Sequence, residues 1–356
     1  MPDADATVVE GWRERIGAAA RAGTRLRLRG SGSKDFYGES LAGDVLELGA
    51  WRGIVDYEPS ELVLTARCGT RLSEISEALA AHGQFLAFEP PAFGADPTLG
   101  GVIAAGLSGP RRPYAGAARD FVLGVKLLAA DGELLRFGGQ VMKNVAGFDV
   151  SRLMCGSLGI LGILTEVSLK VLPRPRLEQT LRLELSAAAA VESFNRWAAL
   201  PVPLSGAAWS QGRAWLRLSG APPAVREARA RLGGELVGES EAHAWWESLR
   251  HGHQELLRRD LLWRVSVAAA APPLALPAEP LIDWGGAVRW YADLAADVPV
   301  RALAREAGGT ALCWRGPAPE GRFHPLPAAV AQLHRRLKQR FDPQGIFNPG
   351  RLIGGL

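Results

Sequence analysis

Apolar side chains at Val8, Trp12, Ile16, Ala19 and Ala20 recur at the spacing of one helix face, and the run stops at Gly23, a residue suited to a left-handed cap. Residues 24–29 then alternate apolar and charged positions, which predicts a half-buried strand leading directly into Gly30-Ser31-Gly32-Ser33. Short strands are predicted over 44–48 and 62–66. A helix follows from a Thr70 cap through Leu72, Ile75 and Leu79 to Gly83. After Pro90 and Pro91 the texture changes, and residues 98–109 are almost wholly Gly, Ala and small aliphatics. Asp131-Gly132 between the apolar runs 121–129 and 133–137 predicts a hairpin. A further strand over 163–172 ends at Pro173 and Pro175.

Those prolines mark an expected domain boundary. Beyond them the pattern restarts as strand 181–185, helix 187–200, strands 207–210 and 214–218, helix 223–232 and strand 235–237. That β-α-β-β-α-β order is ferredoxin-like, with helices on one face of an antiparallel sheet. Runs at 263–268, 287–291 and 310–314 are candidates to extend the sheet. A last helix, 328–341, is expected to bury Leu333 and Leu337, and 341–351 reads as irregular. No repeat of solenoid period is present.

Composition narrows the class. A chain of 356 residues and 38.0 kDa exceeds what one small core organises, so two domains are expected. A 47% hydrophobic and 22% charged content excludes a largely disordered chain. The most apolar stretch, 265–271, is far short of a bilayer span, and the acidic first ten residues lack the pattern of a signal peptide. The expected setting is the cytoplasm. Forty-one basic against 37 acidic residues leave a net charge of +4, without a basic stripe interleaved with aromatics, which argues against nucleic acid as a partner. Cys68, Cys155 and Cys313 have no metal-ligand spacing, so no disulfide framework, zinc or iron–sulfur site is expected. The one close histidine pair, His251 and His253, reads as an exposed helix end.

Three segments carry candidate chemistry. In Gly30-Ser31-Gly32-Ser33-Lys34 the glycines allow successive amides to converge on an anion, and the serines add hydroxyl donors. The dinucleotide fingerprint that opens a helix is excluded, because Asp35 stands where its third glycine belongs, and a Walker loop is excluded because no GKS or GKT occurs. Any phosphate here meets bare amides with no helix dipole behind them; a plain turn is the alternative. In the second segment Thr98 is a suitable N-cap, and Gly100, Gly101, Gly106 and Gly109 each weaken a helix by about 1 kcal/mol. Close helix packing or a flat ligand would compensate, and composition leaves both open. The third comprises Lys143 to Asp149 and the glycines Gly156, Gly159 and Gly162, spaced by three before a strand.

In this order and spacing the segments resemble the FAD-binding domain of the vanillyl-alcohol oxidase superfamily, also called PCMH-type. The likeness spans residues 24–172 and resumes at 341–351, whose FDPQGIFNPGR is typical of it. Residues 107–124, 143–149 and 283–290 are similar to the family of FAD-binding E subunits of bacterial glycolate oxidase, and that likeness covers nearly the whole chain. It implies an α+β protein with a two-subdomain PCMH-type FAD-binding domain, residues 1–175 completed by 326–356, and a ferredoxin-like antiparallel-sheet cap over 176–325. It implies a contribution, within a hetero-oligomer, to oxidation of a small 2-hydroxy acid such as glycolate to glyoxylate, with the catalytic machinery for the hydroxy acid expected in the paralogous subunit. The partners implied are a paralogous FAD subunit and an iron–sulfur subunit, which would give peripheral attachment to the inner membrane face. The alternatives are a non-catalytic FAD-carrying scaffold or electron relay, and a stand-alone oxidase of another alcohol.

By the same resemblance, Gly30, Ser31, Gly32, Ser33 and Lys34 meet the FAD pyrophosphate. Thr98, Gly100, Gly101, Ser108 and Gly109 lie along pyrophosphate, ribityl chain and flavin ring, and Gly156, Gly159, Gly162 and Ile163 flank the adenosine half. A histidine that would link the flavin covalently is replaced by Ser33-Lys34, so FAD is expected to be non-covalent. GSLGILG stands where hydroxy-acid relatives have GSEGTLG, and their HxGDGN metal motif is missing, so no metal is expected. Arg111, Arg112, Arg264 and Arg289 are candidates to hold a carboxylate and Tyr114 to handle a proton; no residue stands out as the base. Trp245, Trp246, Trp284 and Trp290 are expected to pack in a core or interface.

Overall fold

The computed structural model describes residues 4–39, 41–94, 96–139 and 149–354. Residues 143–148 of the third segment lie outside them.

Helix α1 (Ala4–Ala22) packs Trp12, Ile16 and Ala19 onto a two-stranded parallel pair, β1 (Leu26–Arg29) and β2 (Asp44–Glu47). The C-terminal segment joins this unit, with Phe347 bridging Leu26 and both buried. Strands β3 (Ile54–Glu58), β4 (Val63–Arg67), β5 (Val122–Leu128), β6 (Leu134–Gly138) and β7 (Ile163–Lys170) form an antiparallel sheet in the order β3-β4-β7-β5-β6. The expected hairpin at Asp131-Gly132 joins β5 and β6. Helices α2 (Leu72–Ala80) and α3 (Leu99–Ala105) press Leu72, Ile75, Leu79, Leu99, Val102 and Ile103 into one core with Leu64, Leu127, Val167 and Leu169 of the sheet. Thr70 does not cap α2. Arg71 holds that position, and the Thr70 hydroxyl bonds Gly53 instead, which fixes the turn before the helix.

The eight-stranded antiparallel sheet is built from later sequence. Strand β8 (Leu177–Glu184), helix α4 (Ala187–Ala198), strands β9 (Leu204–Ser210) and β10 (Arg213–Gly220), helix α5 (Pro222–Leu232) and strand β11 (Glu235–Leu236) pair in the order β11-β8-β10-β9. That is the ferredoxin-like order, as the sequence pattern predicts. The later runs do extend it. Strands β12 (Leu262–Ser266), β13 (Leu281–Asp283), β14 (Val288–Ala292) and β15 (Thr310–Arg315) continue the sheet as β9-β13-β14-β12-β15. Helices α4 and α5 bury one face through Ala190, Phe194, Val225 and Ala228. The other face meets α6 (Glu239–Arg250) and the N-terminal half, where Phe36, Tyr37, Phe93 and Leu107 join its cluster. Helix α7 (Ala328–Phe341) departs from expectation: its one buried residue is Lys338, and Leu333 is 56% exposed. Amphipathic spacing predicts a face but not what covers it. No helix among the described residues is long and apolar enough to cross a membrane.

Candidate functional site

Strand β1 delivers the chain into the first glycine segment. A Cβ on Gly30 would collide with the Thr98 side chain, so this loop rests on the N-cap of α3. Gly32 has φ +76°, and only the flexible end of Arg29 stands where its Cβ would be. Lys34 is half-buried, and Ser33 Oγ at 3.4 Å is the one partner of its ammonium among the described residues. Burial without a counter-charge pulls its ammonium down to about 8.

The C-terminal segment clasps this loop, a role the sequence pattern alone does not reveal. Arg351 donates Nη1 to Glu39 O (2.7 Å) and Nη2 to the carbonyls of Lys34 (3.1 Å) and Asp35 (2.8 Å). Asn348 accepts the Leu28 amide and donates to Leu158 O, each at 2.7 Å, so it ties β1 to the third glycine segment. Buried Lys338 donates to Asp342 Oδ2 (2.6 Å), Ile160 O (2.7 Å) and Phe347 O (2.8 Å), which fixes the clasp to α7.

The other two glycine segments meet each other. Thr98 caps α3 as expected, accepting the Gly101 amide, while the Leu99 and Gly100 amides bond Thr70 O and Cys68 O. Gly100 is glycine because Cys68 fills the space, Gly109 because the Glu89 backbone does, and Gly162 because Leu128 O does. Gly159 faces Asn348, and Ile163 pairs with Leu128 inside the sheet. The Ser108 hydroxyl accepts the Ala118 amide. Gly156 differs: at φ +85° it bonds Ile103 O, and nothing lies within 4 Å of its Cβ position. Gly101 is also open, apart from Thr98 Oγ1 at 3.2 Å. Packing therefore accounts for Gly30, Gly100, Gly109, Gly159 and Gly162. Gly101 and Gly156 leave a bare backbone surface, which together with the uncompensated Lys34 cation fits a flat anionic dinucleotide.

A cavity of about 380 Å³ lies between Gly106, Ser108 and Arg112 on one side and Arg264, Asp283 and Trp284 on the other. The Arg112 guanidinium stands 4.3 Å from the Trp284 ring centre, and that of Arg264 stands 4.7 Å from the same ring and 5.6 Å from Trp290. Neither makes a salt bridge among the described residues; Arg264 bonds only Ser266 Oγ, at 3.1 Å. Burial lowers the pKa of both, yet guanidinium stays charged. In the same cavity Asp283 accepts the Trp284 amide on Oδ1 at 2.7 Å, and its Oδ2 has no hydrogen bond among the described residues. Burial pushes this carboxyl up to about 7 against the opposing pull of that amide and of Arg264. Trp284 holds φ +54°, a conformation that costs a non-glycine residue about 1 kcal/mol or more. Its Nε1 donates to Gly109 O at 3.0 Å, locking the two sides together.

The remaining candidates separate cleanly. Arg289 is 1% exposed and donates to the carbonyls of Ala271, Pro272 and Gly286, so it fastens a loop rather than lining the cavity. Arg111 belongs to a buried network with Glu89, Glu178 and Ser219, and Arg217 meets Glu89 at 2.8 Å. Burial alone would raise the Glu89 carboxyl, but Arg217 and Arg111 hold it below the usual range. Tyr114 packs with the α4–α5 core beside Asp283, and burial raises its pKa. His253 is exposed as expected, whereas His251 is half-buried, accepts the Ala92 amide on Nδ1 and meets Glu247 through Nε2. Trp245 stacks on Trp215 and Trp246 bonds Thr180, both as packing, while Trp284 and Trp290 wall the cavity. Asp283 escapes sequence reasoning, although the Gly285-Gly286 pair after Trp284 signals a forced turn beside it. No cluster of three or more metal-ligating side chains occurs among the described residues.

The profile of the FAD binding domain family matches residues 7–138. Glycolate oxidase subunit GlcE of Escherichia coli (strain K12) is 47% identical over 346 residues, covering 96% of this chain and 97% of that protein. Glycolate oxidase subunit GlcD of Bacillus subtilis (strain 168) is 34% identical over 128 residues, 36% of this chain and 27% of that one. The structure of p-cresol methylhydroxylase with substrate bound superimposes with a TM-score of 0.66 at 15% identity, covering 96% of this chain and 87% of the other, a likeness of fold alone.

Proposed function

The chain belongs to the family of glycolate oxidase subunit GlcE, and we propose that it is the FAD-binding subunit of a glycolate oxidase that converts a small 2-hydroxy acid, such as glycolate, to the 2-oxo acid. In this reading residues 1–175 with 326–356 form the FAD-binding domain and 176–325 the cap. The pyrophosphate is held by Gly30, Ser31, Gly32, Ser33 and Lys34. The rest of the cofactor lies along Thr98, Gly100, Gly101, Ser108 and Gly109, with Gly156, Gly159, Gly162 and Ile163 on the adenosine side. Binding is non-covalent, because the first loop has no histidine. Bound FAD supplies the acceptor for the hydrogen that leaves the substrate carbon with its electron pair.

The observation that carries the substrate reading is the pair of guanidiniums Arg112 and Arg264, which share the Trp284 ring and make no salt bridge among the described residues, in one cavity with a carboxyl whose Oδ2 has no hydrogen bond among them. Two fixed, half-buried cations suit the carboxylate of a hydroxy acid. Asp283 Oδ2 takes the hydroxyl proton, and a pKa near 7 lets it do so and release the proton to water afterwards. Trp284 fixes the floor on which both arginines rest. The chain has no iron–sulfur spacing among its three cysteines, so we assign onward electron transfer to partner subunits, a paralogous flavoprotein and an iron–sulfur protein.

Anaerobic mixing of the flavin-loaded chain with glycolate tests this reading. Bleaching of the flavin absorbance in the isolated chain is the expected result. Bleaching only after partner subunits are added would transfer the chemistry to them and leave this chain an FAD-carrying relay. Leu158 in GSLGILG, at the place of the relatives' glutamate, is the feature that favours that second outcome.

A further inference from the structure

Helix α7 has fourteen residues, yet Lys338 is its one buried side chain. A helix of that length is marginal in water unless an apolar face is buried. Here the apolar face is open: Leu326 is 39%, Val330 40% and Leu333 56% exposed. From residue 321 to 341 the sequence has no acidic residue, while Arg335, Arg336 and Arg340 are exposed and make no ion pair among the described residues. The carboxylates that flank this stretch are engaged elsewhere, Asp342 on Lys338, Glu39 on the amides of Arg322 and Phe323, and Glu320 on Arg301.

Beside this helix runs a groove of about 1190 Å³, lined by Leu326, His334, Leu352 and Ile353 and also by Tyr37, Arg264 and the engaged carboxylates Glu39 and Glu320. Tyr37 and Arg264 also line the catalytic cavity. From the apolar stripe, its cationic rim and the groove we infer that α7 and residues 321–327 form the docking seat for a partner subunit of the oxidase. The occupant is a segment with an apolar stripe flanked by Asp and Glu. This rests on the multi-subunit reading, but not on which subunit carries the chemistry. Charge complementarity selects an acidic partner. The concavity selects a projecting protein segment over a flat bilayer, and the exposed side chains are aliphatic, without the Trp or Tyr of an interfacial anchor. A partner seated here touches the outer wall of the substrate cavity.

The test co-expresses the tagged chain with the other oxidase subunits and identifies by mass spectrometry what stays bound. Val330→Glu/Leu333→Glu should reduce retention of the partner subunits at least about tenfold, leaving bound flavin and Tm unchanged. Arg335→Glu/Arg336→Glu should weaken retention less and flatten its dependence on salt. Full retention by the first variant overturns the inference. So does retention of partners combined with loss of binding to phosphatidylglycerol vesicles, which would give the face to lipid. A wild-type chain that keeps no partner sinks the multi-subunit reading and the seat together.

Discussion

The glycine segments of the N-terminal half and the cavity wall of the eight-stranded sheet present opposite surfaces. Around Gly32, Gly101 and Gly156 the chain offers backbone, with Cβ positions that are open or met only by the end of a mobile side chain or a hydroxyl. On the facing sheet it offers side chains, Arg264, Asp283 and Trp284, held by burial and by a strained backbone at Trp284. A backbone surface tolerates no added atom but does not depend on rotamers. A side-chain surface tolerates neighbours but fails when one charge is removed. The two should therefore break differently, the first by steric gain and the second by loss of charge.

Gly32→Val should produce the largest effect. At φ +76° a β-branched residue is strongly disfavoured, and its methyls would stand where a phosphate has to approach. FAD affinity should fall at least about a hundredfold, roughly 3 kcal/mol, read as flavin absorbance per purified chain. A variant that stays fully yellow would remove the first loop from the site. Gly162→Ala, a position filled by Leu128 O, should instead lower Tm, since its glycine serves packing.

Arg264→Met comes next and tests the other surface. Losing one of two half-buried cations should cost about a hundredfold in kcat/KM, mainly in KM, with bound flavin unchanged. Were KM unmoved, the cavity would not be the carboxylate site.

The contrast also explains what was legible in the sequence. The Thr98 cap and the Asp131-Gly132 hairpin are local devices, written in adjacent residues, and each forms as the pattern predicts. The ferredoxin-like order follows from element succession alone. Arg264 and Asp283 share a cavity only because β14 lies between β12 and β13 in the sheet, with Arg264 opposite Trp290 and Asp283 opposite Val288. No spacing encodes that. Arg111 and Arg289 look identical to Arg112 and Arg264 in sequence, and their partners, Glu89 and three loop carbonyls, come from elsewhere in the fold. Leu333, expected inside, is exposed for the complementary reason: periodicity describes a helix face and cannot show that none of the described residues covers it.

Asp283 sharpens the side-chain half through pH. A proton acceptor must be ionised, so the rate of flavin reduction should rise as pH passes about 7 and level above it. Asp283→Asn should slow reduction about a hundredfold and abolish that rise. A flat wild-type profile between pH 6 and 8 would take the proton away from this carboxylate.

Lys34 provides the finest test, because it is the one place where the backbone surface relies on a charge. In the free chain burial holds its ammonium near 8, and contact with a pyrophosphate favours the charged form, so its pKa rises on binding. Affinity is then constant below about 8 and weakens above it, as the free chain loses the proton that the complex retains. At pH 9 only about a tenth of free chains carry the charge, which predicts FAD binding about tenfold weaker than at pH 7. Fluorescence titration of FAD across that range measures it. Lys34→Met should bind more weakly at pH 7 and show no such decline; an equal decline in the variant would assign the pH dependence to another group and leave the first loop a site of bare amides.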